Sequence, residues 1–89
     1  MAARRTRVLV ADGSVVERER MIALLRSDPD IEVVGEAARS TTVVEMAKRV
    51  HPDVIALGIH IPAAGGLEAT KEIMIEAPTP VVLVSDETD

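Results

Sequence analysis

The sequence contains no cysteine, phenylalanine, tyrosine or tryptophan among its 89 residues. Without cysteine there is no disulfide framework, no thiolate nucleophile and no cysteine-ligated zinc. Without aromatic residues, the core has to be built from Val, Ile, Leu, Met and Ala, and it lacks the large contacts that aromatic side chains provide. A chain of this length forms at most one small domain.

Positive charge and long apolar runs are also scarce. Lys and Arg number 10 against 15 Asp and Glu, and the resulting net charge of -5 argues against a nucleic-acid partner. The basic residues 4–7 precede an apolar run that extends only from Val8 to Ala11, which is too short for a signal-peptide core or a membrane span. We therefore expect a cytoplasmic protein with neither nucleic acid nor membrane as partner.

The spacing of apolar residues predicts strands that alternate with helices. The predicted strands cover residues 7–12, 31–38, 54–58 and 81–85, and the predicted helices run to about Arg26, from Thr41 to about Val50, and from Leu67 to about Ala77. Ser14 and Glu17 have the spacing of a capping box at the first helix, and Ser40 is predicted to cap the second. The order β-α-β-α-β-α-β indicates right-handed βαβ units and a parallel sheet.

Each predicted helix has an apolar side that we assign to the core. In the first helix this stripe consists of Met21, Ile22, Leu24 and Leu25. In the third, Leu67, Ile73 and Met74 are assigned to the core, and Ile75 is the one candidate for an exposed partner contact.

The third predicted strand ends in an informative absence. Its apolar run from Val54 to Leu57 is short enough for a strand buried on both faces, and it breaks at Gly58. Ligand sites of open parallel α/β sheets form beyond the carboxyl ends of the strands, where Gly58 offers no side chain. Pro62 and the pair Gly65-Gly66 then turn the chain into the next helix. The glycines lack the lysine of a phosphate-binding loop, so a turn is the favoured interpretation.

Five sequence blocks cover nearly the whole chain in a fixed order. They are RVLVADGS (7–14), DPDIEVVGEA (28–37), PDVIALGIHIP (52–62), GLEA (66–69) and PTPVVLVS (78–85). In this order they resemble a response-regulator receiver domain, with the closest resemblance to the receiver of chemotaxis methylesterase response regulators. The resemblance implies an α/β fold with a flavodoxin-like, doubly wound parallel sheet in the strand order 2-1-3-4. It also implies a single receiver-like domain over residues 1–89, truncated before the fifth strand of the family.

The resemblance implies phosphorylation chemistry that these residues match poorly. Receivers of this family use two acidic residues after the first strand and an aspartate after the third, which together bind Mg²⁺, and the third-strand aspartate accepts the phosphoryl group. Here Asp12 fills the first acidic position, but Gly13 occupies the second and Gly58 the acceptor position. His60 replaces a usually acidic or amide residue, and Ser85 matches the family's hydroxyl position. The family's lysine after the fifth strand is missing.

These departures predict a relic acidic pocket rather than a reaction centre. Mg²⁺ prefers oxygen ligands that include carboxylates and phosphate oxygens, and one carboxylate remains. We expect no catalytic residue, no metal and no cofactor. Asp12 is interpreted as a solvated relic rather than a weak cation site, and His60 as a loop histidine rather than a metal ligand or surrogate acceptor. Ser14 is predicted to cap its helix, and Ser85 to bond locally rather than to be a kinase target.

The favoured function is that of a pseudo-receiver without enzyme activity. It would act independently of phosphorylation, as a protein–protein interaction module in two-component or chemotaxis-type signalling. Two alternatives remain open. One is a phosphorylation-responsive regulator with a substitute acceptor, and the other is an inactive fragment of a methylesterase response regulator.

The fourth strand predicts the first partner. Val81, Val82, Leu83 and Val84 are apolar at consecutive positions, so both faces of this strand are expected to be covered. With no fifth strand its outer edge is open, and only Pro80 and Asp86-Glu87 would blunt it. We therefore expect a homodimer through this edge, or an exchange of elements between two chains, with other signalling proteins as further partners.

Overall fold

Four parallel strands and three helices alternate along residues 4–85, the part of the chain that the computed structural model describes. They are β1 (Thr6–Ala11), α1 (Val15–Arg26), β2 (Ile31–Ala37), α2 (Ser40–Val50), β3 (Val54–Gly58), α3 (Gly65–Glu76) and β4 (Val81–Val84). The sheet order is β2-β1-β3-β4, and every neighbouring pair is parallel. The predicted doubly wound fold and its strand order are confirmed.

The core lies on both sides of the sheet, but the two sides are covered unequally. Because side chains alternate along a strand, Leu9 of β1 faces α2 and α3, whereas Val8 and Val10 face α1. The side of α2 and α3 holds the larger cluster, which includes the fully buried Ile55 and Leu57. Within residues 4–85, two helices thus cover one face of the sheet, and α1 covers the other.

Two predicted helix faces are partly wrong. In α1, Ile22 is buried, but Leu24 is 74% exposed because it lies on the side of the helix away from the sheet. In α3, Ala69 and Ile73 take the buried positions, so Leu67 and Met74 are 65% and 44% exposed instead of lying in the core. Ile75 is 77% exposed, as predicted, but it is not the one exposed apolar residue of this helix.

The second and third helices also begin differently from the prediction. Ser40 is not a cap but the first residue of α2, whose N-cap residue Arg39 makes no side-chain cap bond. The buried Ser40 hydroxyl instead accepts a hydrogen bond at 3.0 Å from the N–H of Ala64, in the loop before α3. Helix α3 begins at Gly65, two residues before the predicted Leu67, because the preceding turn already supplies carbonyl acceptors for its first amides.

A carboxylate ties β3 to the start of β1 at the amino-terminal end of the strands. Asp53 Oδ2 accepts from the N–H of Arg7 at 2.8 Å, and Oδ1 accepts from the Arg4 guanidinium at 2.7 Å. The backbone hydrogen bond from Arg7, together with the charge of Arg4, holds the pKa of the Asp53 carboxyl below its ordinary value. This contact stabilises the sheet at the amino-terminal ends of β1 and β3, opposite the predicted pocket at their carboxyl ends.

The outer edge of β4 has no neighbouring strand within residues 4–85. Val82 and Leu83 are 56% and 38% exposed, and Val81 is partly buried. Asp86 and Glu87, the acidic residues that are predicted to blunt this edge, lie outside the described part of the chain. None of the helices in residues 4–85 is long and apolar enough to cross a bilayer.

Candidate functional site

A cleft of about 330 Å³ opens at the carboxyl ends of β1 and β3. It brings together four of the residues predicted for the relic pocket, Asp12, Gly13, Gly58 and His60. Ser85 follows Val84, which lines the same cleft, at the exposed end of β4. The cleft therefore lies where ligand sites of open α/β sheets form.

Asp12 is held by the first turn of α1. Its Oδ1 accepts from the N–H of Ser14 at 2.9 Å, and the Ser14 hydroxyl accepts from the N–H of Glu17 at 3.2 Å. In a complete capping box the Glu17 carboxylate would accept the Ser14 N–H. Here Asp12 takes that bond, and the Glu17 carboxylate pairs with Arg20 at 3.3 Å. Asp12 thus forms part of the helix cap, and Ser14 caps the helix as predicted.

The second Asp12 oxygen covers the backbone of Gly58. A β-carbon on Gly58 would lie 2.5 Å from Asp12 Oδ2 and 2.9 Å from Asp12 Cγ. Both distances are too short for unbonded atoms, so a side chain at residue 58 would have to displace the Asp12 carboxylate. The resemblance places Gly58 at the phosphoacceptor position. The space beside it is therefore occupied by the carboxylate of Asp12, which follows the neighbouring strand β1.

Gly13, the second glycine at a position that is acidic in the family, also has no room for a side chain, because Pro62 lies against it. A β-carbon on Gly13 would lie 2.7 Å from Pro62 Cγ. The pyrrolidine ring is rigid, so a side chain at residue 13 requires the loop between β3 and α3 to move. That loop is fastened to α2, because the N–H of Ser40 donates to Pro62 O at 3.0 Å.

The Gly65-Gly66 pair serves the turn rather than a phosphate cradle. The N–H of Gly66 donates to Ile59 O at 2.9 Å, and a β-carbon on Gly66 would lie 2.9 Å from Ile59 Cα. Gly65 has a φ of +79°, a conformation that favours glycine. The first glycine therefore allows the turn, and the second allows α3 to approach the backbone after β3.

The sequence-based analysis missed Arg18, which fixes α1 to the sheet beside the cleft. Its side chain is 15% exposed, its Nη1 donates to Asp12 O at 2.8 Å, and its Nε donates to Glu36 Oε1 at 3.0 Å. These bonds join α1 to the carboxyl ends of β1 and β2. The available signal was spacing, since Arg18 lies four residues before the buried Ile22 and hence on the same helix face.

The donor atoms of the cleft do not fit the magnesium ion that the resemblance implies. Asp12 is the carboxylate that lines it, and one of its oxygens is already bonded to Ser14. No group of three or more His, Cys, Asp or Glu side chains within residues 4–85 is placed to hold a metal ion. A magnesium site built from protein carboxylates and phosphate oxygens would need further donors.

Comparison with known proteins gives the family. A family model described as "Response regulator receiver domain" matches residues 8–89. The chain belongs to the response-regulator receiver domains. This confirms the resemblance read from the sequence blocks.

Similar proteins specify the type of receiver. Protein-glutamate methylesterase/protein-glutamine glutaminase 4 of Myxococcus xanthus is 46% identical over 79 residues, which cover 89% of this chain and 22% of that protein. A methylesterase/glutaminase of Pyrococcus abyssi is 38% identical over 85 residues, 96% of this chain and 23% of that protein. The chain therefore resembles the receiver domains of methylesterase regulators, and it spans less than a quarter of the length of these relatives.

Solved receiver structures agree with the fold. The response regulator domain of Thermotoga maritima CheB matches with a TM-score of 0.90 and 43% identity, over 97% of this chain and 64% of that chain. The receiver domain of the putative response regulator NarL from Mycobacterium tuberculosis matches with a TM-score of 0.89 and 30% identity, over 98% of this chain and 71% of that chain.

Proposed function

We propose that this receiver domain is a pseudo-receiver, a protein–protein interaction module in two-component or chemotaxis-type signalling that works without phosphorylation and without enzyme activity. The observation that carries the proposal is the Asp12 carboxylate lying over Gly58, at the position where receivers hold their acceptor aspartate.

Phosphorylation of a receiver requires an acceptor carboxylate and a bound Mg²⁺, and this cleft lacks side chains that both require. An aspartyl phosphate requires a carboxylate at the end of β3, and Gly58 has none. The remaining carboxylate, Asp12, bonds the Ser14 amide and would be one of several oxygen ligands that Mg²⁺ requires. Both the acceptor and the metal are therefore disfavoured by the same pair of glycines, Gly13 and Gly58.

Intact-mass measurement after incubation with acetyl phosphate and Mg²⁺ tests this proposal. We expect no phosphate adduct on the wild-type chain, and a receiver with its full set of acidic residues serves as the positive control. A stoichiometric adduct on Asp12, Asp53 or His60 would contradict the proposal and support the alternative with a substitute acceptor.

Two variants show whether the missing side chains are the cause. Gly58→Asp alone should remain poorly phosphorylated, because Gly13 still withholds a metal ligand. Gly13→Asp combined with Gly58→Asp provides both carboxylates, but Pro62 and Asp12 occupy the space that these side chains need. Efficient phosphorylation of Gly58→Asp alone would show that the cleft still binds the metal, and it would contradict the proposal that Gly13 withholds a necessary ligand.

The conformational response gives an independent readout. Ligands shift a conformational equilibrium only when they bind one state better than another. Since the cleft lacks the ligands for Mg²⁺ and for the phosphate mimic beryllofluoride, we expect an unchanged amide spectrum with either reagent. Large shifts at concentrations that saturate ordinary receivers would reveal a switch and contradict the proposal.

The first partner in this proposal is a second copy of the chain, bound through the outer edge of β4. Support comes from the outer edge of β4, which has no neighbouring strand within residues 4–85, and from the exposed apolar side chains of Val82 and Leu83 on that strand. An antiparallel pairing of β4 with its copy would form one continuous sheet about a twofold axis. Other signalling proteins that add a strand to the same edge are the alternative outcome.

A second candidate function follows from the relatives. The Myxococcus relative is a methylesterase/glutaminase of which this chain covers 22%. In this candidate the 89 residues are an inactive fragment of such a regulator and have no independent activity. The length of the native reading frame distinguishes it from the first proposal.

A further inference from the structure

A groove runs between α2 and α3, on the side of the sheet that holds the larger core cluster. It has a volume of about 350 Å³. Its floor is apolar, because the buried side chains of Val44 on α2 and Ala69 on α3 line it. Ala64, whose N–H donates to the Ser40 hydroxyl, lies at the end where both helices begin. We call this the α2–α3 groove, and the outer edge of β4 takes no part in it.

The rim of the α2–α3 groove is acidic. Among the described residues that line it, three are glutamates and none is Lys, Arg or His. Glu45 lies on α2, and Glu72 and Glu76 lie on α3, so carboxylates stand on both walls. The groove therefore combines an apolar floor with a negatively charged rim.

Lys48 shows how this rim interacts with a cation. Its ammonium group lies 3.0 Å from Glu76 Oε1 and 4.0 Å from Glu45 Oε1, and it thus bridges the two helices. The hydrogen bond to Glu76, together with the charges of Glu76 and Glu45, raises the pKa of the Lys48 ammonium above its ordinary value. The carboxylate of Glu72, one helical turn before Glu76, forms no ion pair with another residue among residues 4–85. The rim therefore keeps a carboxylate for a cation from outside the domain.

The cation that fits this groove is one with an apolar stem. A metal ion does not fit, because no group of three or more His, Cys, Asp or Glu side chains within residues 4–85 is placed to hold one. Lysine and arginine side chains lay their methylene groups on apolar surface while the charged head stays in water. The arginine guanidinium carries five N–H donors in one plane, so it can bond carboxylates on two walls. The groove therefore favours arginine over lysine.

We infer that the α2–α3 groove binds an arginine side chain from a basic segment of a partner protein. The methylene stem would lie on Val44 and Ala69, and the guanidinium would bond Glu72 and Glu45. This inference rests on the proposed interaction role and deepens it by naming a surface and the chemistry of the partner. It uses neither the cleft at Gly58 nor pairing at the β4 edge.

A second copy of this chain suits the groove less well than a basic partner. The chain has a net charge of -5, so a copy approaching the acidic rim would be repelled. Three of its arginines are also paired with carboxylates of their own chain, Arg4 with Asp53, Arg18 with Glu36 and Arg20 with Glu17. A basic segment of another protein brings the opposite charge and an arginine that is not already paired.

A titration of the isotope-labelled chain with a short peptide tests the inference. The probe is the blocked peptide acetyl-Ala-Leu-Arg-Leu-Ala-amide, and amide shifts report both affinity and location. One matched peptide has citrulline, which keeps the stem and planar shape of arginine without its charge, and another has lysine. We expect saturable shifts at the groove, with binding weaker by about fivefold or more for citrulline and about twofold or more for lysine.

Variants separate the contribution of the charge from that of the stem. Glu72→Gln and Glu45→Gln should each weaken binding of the arginine peptide by about threefold and leave the citrulline peptide unaffected. Ala64→Leu fills one end of the groove without changing its charge, so it should weaken both peptides. Glu19→Gln removes an exposed charge from α1, across the sheet, and should match the wild type. Circular dichroism confirms that each variant is folded.

Lys48→Gln has an expected effect of the opposite sign. It frees Glu76 and Glu45 from their internal cation, so the arginine peptide should bind more tightly by about twofold or more. General damage to the domain would weaken binding, and a gain in affinity therefore reports the competition alone. Unchanged or weaker binding by the folded variant would contradict the inference.

Four further outcomes would overturn the inference. They are the absence of saturable shifts at the groove, equal affinity for the arginine and citrulline peptides, equal weakening by Glu19→Gln, and loss of self-association in Glu72→Gln. The last would assign the groove to a second copy. A phosphate adduct in the mass measurement would refute the pseudo-receiver proposal and leave the peptide result unaffected, so the two failures are distinguishable.

Discussion

Asp12 and Gly58 are coupled across two neighbouring strands, with Asp12 Oδ2 2.5 Å from the position that a β-carbon on Gly58 would take. The other Asp12 oxygen accepts the N–H of Ser14 at 2.9 Å. The carboxylate is therefore used twice within the chain, as part of the cap of α1 and as the group that covers Gly58. Residue 58 has no side chain, and we interpret the Asp12 carboxylate as occupying the space that such a side chain would need.

The cap role of Asp12 predicts an order of stabilities. Asp12→Ala removes the acceptor for the Ser14 amide and should lower the free energy of unfolding by about 1–2 kcal/mol. Asp12→Asn keeps an acceptor oxygen but loses the charge near the amino end of α1, which should cost about 0.3–1 kcal/mol. Urea unfolding followed by far-ultraviolet circular dichroism measures both. An Asp12→Ala variant as stable as the wild type would show that the cap bond contributes nothing.

The close approach at Gly66 predicts a steric penalty. In Gly66→Ala the new methyl group meets the backbone of Ile59, which cannot move as a flexible side chain would, and we expect a loss of about 1–3 kcal/mol. Gly65→Asn is the control, because residue 65 has open space around it and asparagine tolerates a positive φ. Thermal unfolding should show a larger loss for Gly66→Ala, and the reverse order would contradict the packing role.

The fold was predictable because its signals are local and repeated. Each strand has a short apolar run, each helix has an apolar stripe, and turn residues separate them, so the element order and the parallel sheet follow from pattern alone. The helix faces were less predictable. Leu24 and Met74 look like core residues in a periodic pattern, but the burial of each depends on which side of the helix meets the sheet.

The candidate site was predictable in membership but not in geometry. Asp12, Gly13, Gly58 and His60 could be placed at one cleft because the carboxyl ends of parallel strands lie together. The bond from Ser14 to Asp12 and the contact of Pro62 with Gly13 depend on loop conformation, which the sequence does not encode by spacing. Arg18 was missed because an arginine on a helix is usually solvent-exposed.

Asp53 predicts a pH dependence of stability in acid. Its pKa is lowered in the folded chain, first by the hydrogen bond from the Arg7 N–H and then by Arg4. A carboxyl group with a lowered pKa contributes stability above its ordinary pKa of about 3.9, and this contribution is lost as the pH falls through the folded value. The melting temperature of the wild type should therefore fall as the pH is lowered from about 5 towards 3.

Replacing Asp53 isolates its share of this acid sensitivity. Asp53→Asn cannot be protonated in this range, so part of the fall should be absent, and the variant should be less stable than the wild type near neutral pH. Glu19→Gln on the exposed surface of α1 is a control for removing one negative charge. Identical pH profiles for Asp53→Asn and the wild type would show that the contact with Arg7 is unimportant.

The register of β4 refines the prediction of a dimer through its edge. Alternate residues of a parallel strand direct both backbone groups to the same neighbour. The Ile55 N–H donates to Pro80 O and the Ile59 N–H to Val84 O, so the even-numbered residues of β4 face β3. Val81 and Leu83 therefore present their N–H and C=O groups to the open edge. A second copy that pairs antiparallel would bond to these two residues.

Leu83→Pro tests this pairing because it removes an outward N–H and leaves the bonds to β3 in place. Leu83→Ala is its matched control, since it removes the side chain but keeps the N–H. By light scattering after size exclusion at micromolar concentration, we expect a dimer for the wild type, a reduced dimer for Leu83→Ala and a monomer for Leu83→Pro. A folded wild-type monomer would refute edge pairing. A dimer that survives Leu83→Pro would do the same and would favour an exchange of elements between the two chains.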